Sequence, residues 1–280
     1  MRQIVTALAV IALGIATAMD GLKPVALSVL ADGNLLILFG DHLEIREPTT
    51  GKRRTSVAIP GMTQWIDATA TGPSDRPGMF LVGRGSKAGG SMIAQYNLQG
   101  KEVRSWRLKA GYPSGIAFDP SRQVLYVTEL QTPTVHTINL AEKESVARYL
   151  AGVRGASRLG SITVGPEGQL FVADLFSGTI YRLSPPAYRA TVLVSDLGEP
   201  SAMAVGPGGR ILYVSDRSQR CVWSIRLDTA TPRPTKFWVN ELRSPSSVGV
   251  SANGTVWIGD PGAQAVFGVS PEGTMIRVIR

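Results

Sequence analysis

Past residue 20, no long stretch of the chain repeats its apolar positions at the three-to-four spacing of a helix. The apolar runs are short and are broken by Gly, Pro, Asn and Asp, a pattern that predicts strands joined by tight turns. One phrase recurs. It runs Pro113-Ser114-Gly115-Ile116-Ala117-Phe118, then a turn, then Val124-Leu125-Tyr126-Val127-Thr128-Glu129. It returns from Gly160 to Asp174, from Pro200 to Asp216 and from Pro245 to Asp260. The closing acids Glu129, Asp174, Asp216 and Asp260 lie 45, 42 and 44 residues apart. Short strands repeating every 40–50 residues or so predict the blades of a propeller.

Each copy can be decoded physically. A first strand of small and β-branched residues, such as Met203-Ala204-Val205, is narrow enough to crowd round a central axis. A turn such as Gly206-Pro207-Gly208-Gly209 follows. The second strand, such as Ile211-Leu212-Tyr213-Val214, is nearly all apolar and suits burial between neighbouring blades. A third strand alternates (Thr179 to Leu183), and a more polar fourth (Ala190 to Val194) makes the outer edge. Two weaker copies lie upstream, with Leu35 to Phe39 and Met79 to Val82 as their buried strands. Division of the remaining length by a repeat of about 43 gives six blades. The expectation is an all-β, six-bladed β-propeller of four-stranded antiparallel blades over residues 19–280. The blades fall at about 24–62, 63–111, 112–158, 159–198, 199–242 and 243–280. Residues 1–18 carry one charge, Arg2, then an apolar stretch ending in Ala16-Thr17-Ala18. This predicts a cleaved signal peptide, an exported (periplasmic or secreted) domain and no transmembrane segment after cleavage.

Composition narrows the partners. Lys and Arg number 29 against 21 Asp and Glu, a formal charge of +8, which favours acidic partners: a protein, a polysaccharide or a small anion. The basic residues are scattered singly rather than clustered among exposed aromatics, which disfavours nucleic acid. The single cysteine, Cys221, cannot form an internal disulfide.

The stretch Gly208 to Asp216 with Cys221 to Ile225 resembles the NHL-repeat propellers and the senescence-marker-protein/gluconolactonase group, and is similar to the streptogramin-lyase-like propellers. The resemblance covers blades 3–6 well and blades 1–2 loosely, and it implies the architecture. It also implies an alternative activity, a lactonase-like hydrolase holding one Ca-like divalent metal on the axis through Glu, Asn and Asp. Where that family places a polar ligand after Pro, this chain has Ser114, Gly160, Ser201 and Ser246. Hydroxyls are weak ligands for such ions, and Asp67, a stray carboxylate on the inner strand of blade 2, does not make a metal cage alone. No cofactor and no metal site are expected, and the reading leans away from an enzyme.

The repeat acids invite two readings: a ring of carboxylates on one face, or acceptors for backbone N–H groups of their own turns. Recurrence in blade after blade favours the second. Strand 1 starts and strand 2 ends on the same face, so the loops there share it. Its basic residues include Arg84, Lys87, Arg154, Arg158, Arg217, Arg220 and Arg243, a candidate surface for carboxylates, phosphates or an acidic protein. The leading expectation is an NHL-like binding or scaffolding module. The two histidines, His42 and His136, are expected to pack or lie on the surface.

Overall fold

The computed structural model describes residues 24–30, 32–40, 42–59, 65–71, 78–83, 91–97, 99–108, 112–142 and 146–280. The expected signal peptide, Arg84 and Lys87 lie outside these residues. Every sheet is four-stranded, antiparallel and continuous in sequence. The first holds β1 (Ala26–Val29), β2 (Leu35–Leu38), β3 (His42–Arg46) and β4 (Arg53–Ala58). The second holds β5 (Trp65–Thr71), β6 (Gly78–Gly83), β7 (Ser91–Tyr96) and β8 (Glu102–Leu108). The third holds β9 (Pro113–Asp119), β10 (Val124–Glu129), β11 (Thr134–Asn139) and β12 (Arg148–Gly152). The fourth holds β13 (Leu159–Val164), β14 (Leu170–Asp174), β15 (Thr179–Ser184) and β16 (Arg189–Val194). Then come β17 (Pro200–Val205), β18 (Ile211–Asp216), β19 (Cys221–Arg226) and β20 (Pro234–Trp238). The last sheet is β21 (Ser247–Val250), β22 (Val256–Asp260), β23 (Ala265–Val269) and β24 (Met275–Ile279). Among the described residues that makes six sheets. The all-β propeller class read from the repeat is the observed one.

Hydropathy explains the layering. The second strands are apolar on both faces, and β2, β14 and β22 are buried at every position. A residue there stabilises by about 1.5–3 kcal/mol through burial alone. Outer strands alternate toward solvent, as Arg53 to Ala58 does. The core lies between blades rather than inside them. Phe171, Ala173 and Ile180 of the fourth sheet pack on Met203, Leu212 and Val214 of the fifth. Leu27, Leu35, Ile37 and Phe39 of the first pack on Trp257, Val266 and Ile279 of the last, which closes the ring.

The inner strands meet neighbour to neighbour, β1 with β5, β5 with β9, β9 with β13, β13 with β17, β17 with β21 and β21 with β1. Small residues permit that approach. A Cβ on Gly115 would stand 2.6 Å from the Gly160 carbonyl oxygen of the next blade, so glycine is required there. Arg148–Gly152 is strand, so the loop that carries Arg154 and Arg158 starts after Gly152.

Candidate functional site

The repeat acids are consumed by the loops of their own face. Asp174 accepts the backbone N–H groups of Ser157 (2.8 Å), Arg158 (3.2 Å) and Phe176 (2.9 Å). Asp216 accepts those of Gly198 (2.8 Å), Glu199 (2.9 Å) and Gln219 (3.0 Å), and the Trp223 indole N–H (2.9 Å). Asp260 accepts those of Arg243 (2.7 Å), Ser244 (3.0 Å) and Ala263 (2.9 Å). Each acid therefore ties the incoming blade-to-blade loop to the turn between its second and third strands. Burial alone would raise the Asp174 and Asp216 pKa values, but these donors outweigh it and hold both below the ordinary range. They are structural anions, and they fix the backbone that carries the arginines.

Glu129 departs from the pattern. Its longer side chain accepts from Thr134 Oγ1 (2.7 Å) and meets His136 Nε2 at 3.1 Å. His136 pairs with Val127 across the ladder as Trp223 pairs with Val214, so both rings reach the acid of their own blade. His42 stacks on Phe39 with ring centroids 4.7 Å apart and lies 3.5 Å from Glu44.

The arginines are placed as the topology requires. Arg154 and Arg158 stand on the loop between β12 and β13, Arg217 and Arg220 on the turn between β18 and β19, and Arg243 on the loop before β21. All five are exposed. Arg217 is paired with Glu199 at 2.7 Å. Among the described residues the other four have no carboxylate partner. Phe176, 75% exposed, stands on the same face in the turn that Asp174 anchors.

On the axis the inner strands surround a channel of about 450 Å³. Its hydroxyls link adjacent blades. Ser201 donates to the Pro245 carbonyl (2.8 Å) and Ser246 to the Pro24 carbonyl (3.0 Å). Thr128 donates to the Gly160 carbonyl (2.6 Å), with Ser114 3.2 Å from the same hydroxyl. Sequence reasoning named Ser114, Ser201 and Ser246 only as weak metal ligands at the axis, and it missed Thr128; the carbonyls that Thr128, Ser201 and Ser246 bond lie on the next blade.

Asp67, on β5, is a carboxylate of the inner wall. It accepts the Ile116 N–H (2.9 Å) of the next blade and the Ala68 N–H (2.8 Å). Enclosure by the inner strands pushes its carboxyl up to about 7, against the pull of those two N–H groups. Its side chain still faces the channel.

Residues 156–280 match the model of the family described as the SMP-30/Gluconolactonase/LRE-like region. Solved structures share the fold across most of the chain. A chain of a nidogen/laminin complex superposes with TM-score 0.70 at 15% identity, over 88% of this chain and 93% of that one. A streptogramin B lyase gives TM-score 0.66 at 12% identity, over 94% and 84%. A protein of unknown function from Bacteroides thetaiotaomicron gives 0.66 at 13%, over 88% and 68%. No curated protein matches the sequence.

The SMP-30/gluconolactonase likeness raises the axial divalent metal as a question for these residues. Asp67 is a single carboxylate already accepting two N–H groups, and the hydroxyls of Thr128, Ser201 and Ser246 donate to carbonyls. Among the described residues no three His, Cys, Asp or Glu side chains converge. This donor set does not fit a divalent cage of six to eight oxygens.

Proposed function

We propose that the protein is an exported propeller module that holds an acidic partner on its arginine-bearing face. One observation carries the reading: Arg154, Arg158, Arg220 and Arg243 are exposed and have no carboxylate partner among the described residues, while the acids beneath them are turned inward onto backbone N–H groups. Guanidinium groups offer planar paired donors suited to carboxylate, sulfate or phosphate. Loops pinned at both ends lose little further entropy on binding. The exposed Phe176 ring adds the kind of apolar anchor that protein interfaces concentrate on.

The test is retention of the full chain on a heparin column, a sulfated polysaccharide, as a function of salt. Reversing Arg154, Arg158, Arg220 and Arg243 to Glu should lower the eluting salt markedly. The same change at Arg189, Arg210, Arg233 and Arg277, which lie away from that face, should lower it far less. Equal loss in the two variants would reduce the effect to net charge and defeat the reading. The family match favours a second reading, a lactonase-like hydrolase, and turnover of a simple aldonolactone by the purified chain would establish it instead.

A further inference from the structure

We propose that the axial channel is a binding site for a small organic monocation, a primary amine with an apolar body, whose ammonium group sits against the Asp67 carboxylate. The site rests on Asp67 and not on the four arginines of the first proposal, so each proposal can fail without the other.

The argument begins with what Asp67 lacks. The strands packed against β5 are β1, β2, β6 and β9. Three of them, Ala26–Val29, Leu35–Leu38 and Gly78–Gly83, hold no ionisable side chain. The fourth ends in Asp119, which is already bound by Ser121 and Arg122. The other charged groups of the channel wall, Glu199 and Arg217, are paired with each other at 2.7 Å. Asp67 is thus an enclosed carboxyl with no cation supplied by the described residues. Such a group either keeps a proton or takes a cation from outside.

Register makes the placement specific. Asp67 pairs with Val82 across its ladder. The matching inner-strand places hold Ala26, Gly115, Ala202 and Ser247, opposite Leu38, Thr128, Ser215 and Gly259. One blade alone puts a carboxylate into a layer of small residues, and the smallness of the rest leaves room in front of it.

Ligand class follows from charge and wall. Each Asp67 oxygen accepts one N–H, and a carboxylate has about four acceptor positions, so an ammonium finds free ones. A single negative charge neutralises a monocation and leaves a divalent ion half-compensated. Apolar side chains, among them Val25, Leu27, Phe118, Val164, Met203 and Val250, share the wall with hydroxyls such as Ser28, Thr69, Ser161 and Thr163, and the volume of about 450 Å³ is that of a small-molecule site.

The experiment is calorimetric titration of the full chain with 2-phenylethylamine, with neutral 2-phenylethanol as the isostere. Binding at pH 8 should exceed that at pH 5.5 by about 30-fold, because a proton competes for a carboxyl that titrates near 7. The alcohol should bind weakly at both. Asp67→Ser and Asp67→Ala place residues that the same layer already accepts elsewhere, and both should abolish amine binding. No amine binding at either pH, equal binding of the alcohol, or unchanged binding by Asp67→Ala would overturn the proposal. Tighter binding of Ca²⁺ than of the amine would overturn it in favour of a metal. If a variant fails to fold, the pH ratio in the unaltered protein decides alone.

Discussion

Raising the pH from 5 to 8 should weaken the fold through Asp67. Its carboxyl titrates near 7 in the folded chain, against an ordinary value of 3.8. The folded state therefore holds a proton that the unfolded state has already released. The stability tied to that proton is complete below 3.8 and is lost as the pH rises toward 7. For one such group the loss between pH 5 and pH 8 is about 2.5 kcal/mol. Water entering the channel would screen the charge and trim this to roughly 1.5–2.5 kcal/mol. The assay is urea unfolding followed by tryptophan fluorescence at both pH values, in the unaltered protein and in Asp67→Asn. An amide at this place can still accept the Ile116 N–H but does not titrate, so subtracting the two pH dependences removes the histidines and isolates residue 67. Identical pH dependence in the two proteins would refute both the enclosure of Asp67 and its lack of a counter-charge.

The anchoring acids should behave in the opposite sense. Because Asp174 and Asp216 are held below the ordinary carboxylate range, the stability they contribute is present above about pH 4 and is lost as the pH falls through their lowered values. Asp216→Ala strands the N–H groups of Gly198, Glu199 and Gln219 together with the Trp223 indole, and should cost about 3–5 kcal/mol in urea unfolding. A loss below about 1 kcal/mol would contradict that role. Cys221 is fully buried and its thiol is pushed up to about 12, chiefly by desolvation. A thiol reagent at pH 8 should therefore react only as fast as the chain opens, and prompt reaction of the native protein would show the position to be exposed.

The repeat was legible because two of its parts are local. An acid that ends an apolar strand, seen at Glu129, Asp174, Asp216 and Asp260, declares itself in one stretch of sequence. What that acid binds does not, since Asp174 reaches back to Ser157 and Asp260 to Arg243. The axial hydroxyls were visible as residues, but their acceptors lie on other blades: Ser201 bonds a carbonyl 44 residues on, and Ser246 one 222 residues away. Asp67 could be noticed as a lone carboxylate. Its meaning depends on what three separate strands lack, and no local pattern records that. The Glu129–His136 pair was not foreseen: His136 was expected to pack or lie on the surface, and Glu129 to accept N–H groups of its own turn. Trp223, on the matching strand of a later blade, was the available hint that a ring at this place reaches the acid.

Every sheet is one uninterrupted stretch of chain, so the joint between the first and last sheets contains no shared strand. It rests on Leu27, Ile37 and Phe39 against Trp257 and Val266, together with the hydroxyl of Ser246 on the carbonyl of Pro24. Opened at that joint, the chain would present two bare apolar flanks, one at each end. Those flanks are complementary but not identical, so the contact between them is head-to-tail. Within one molecule it makes a ring. Between molecules the same surfaces would make an open polymer, and dilution decides which partner arrives first.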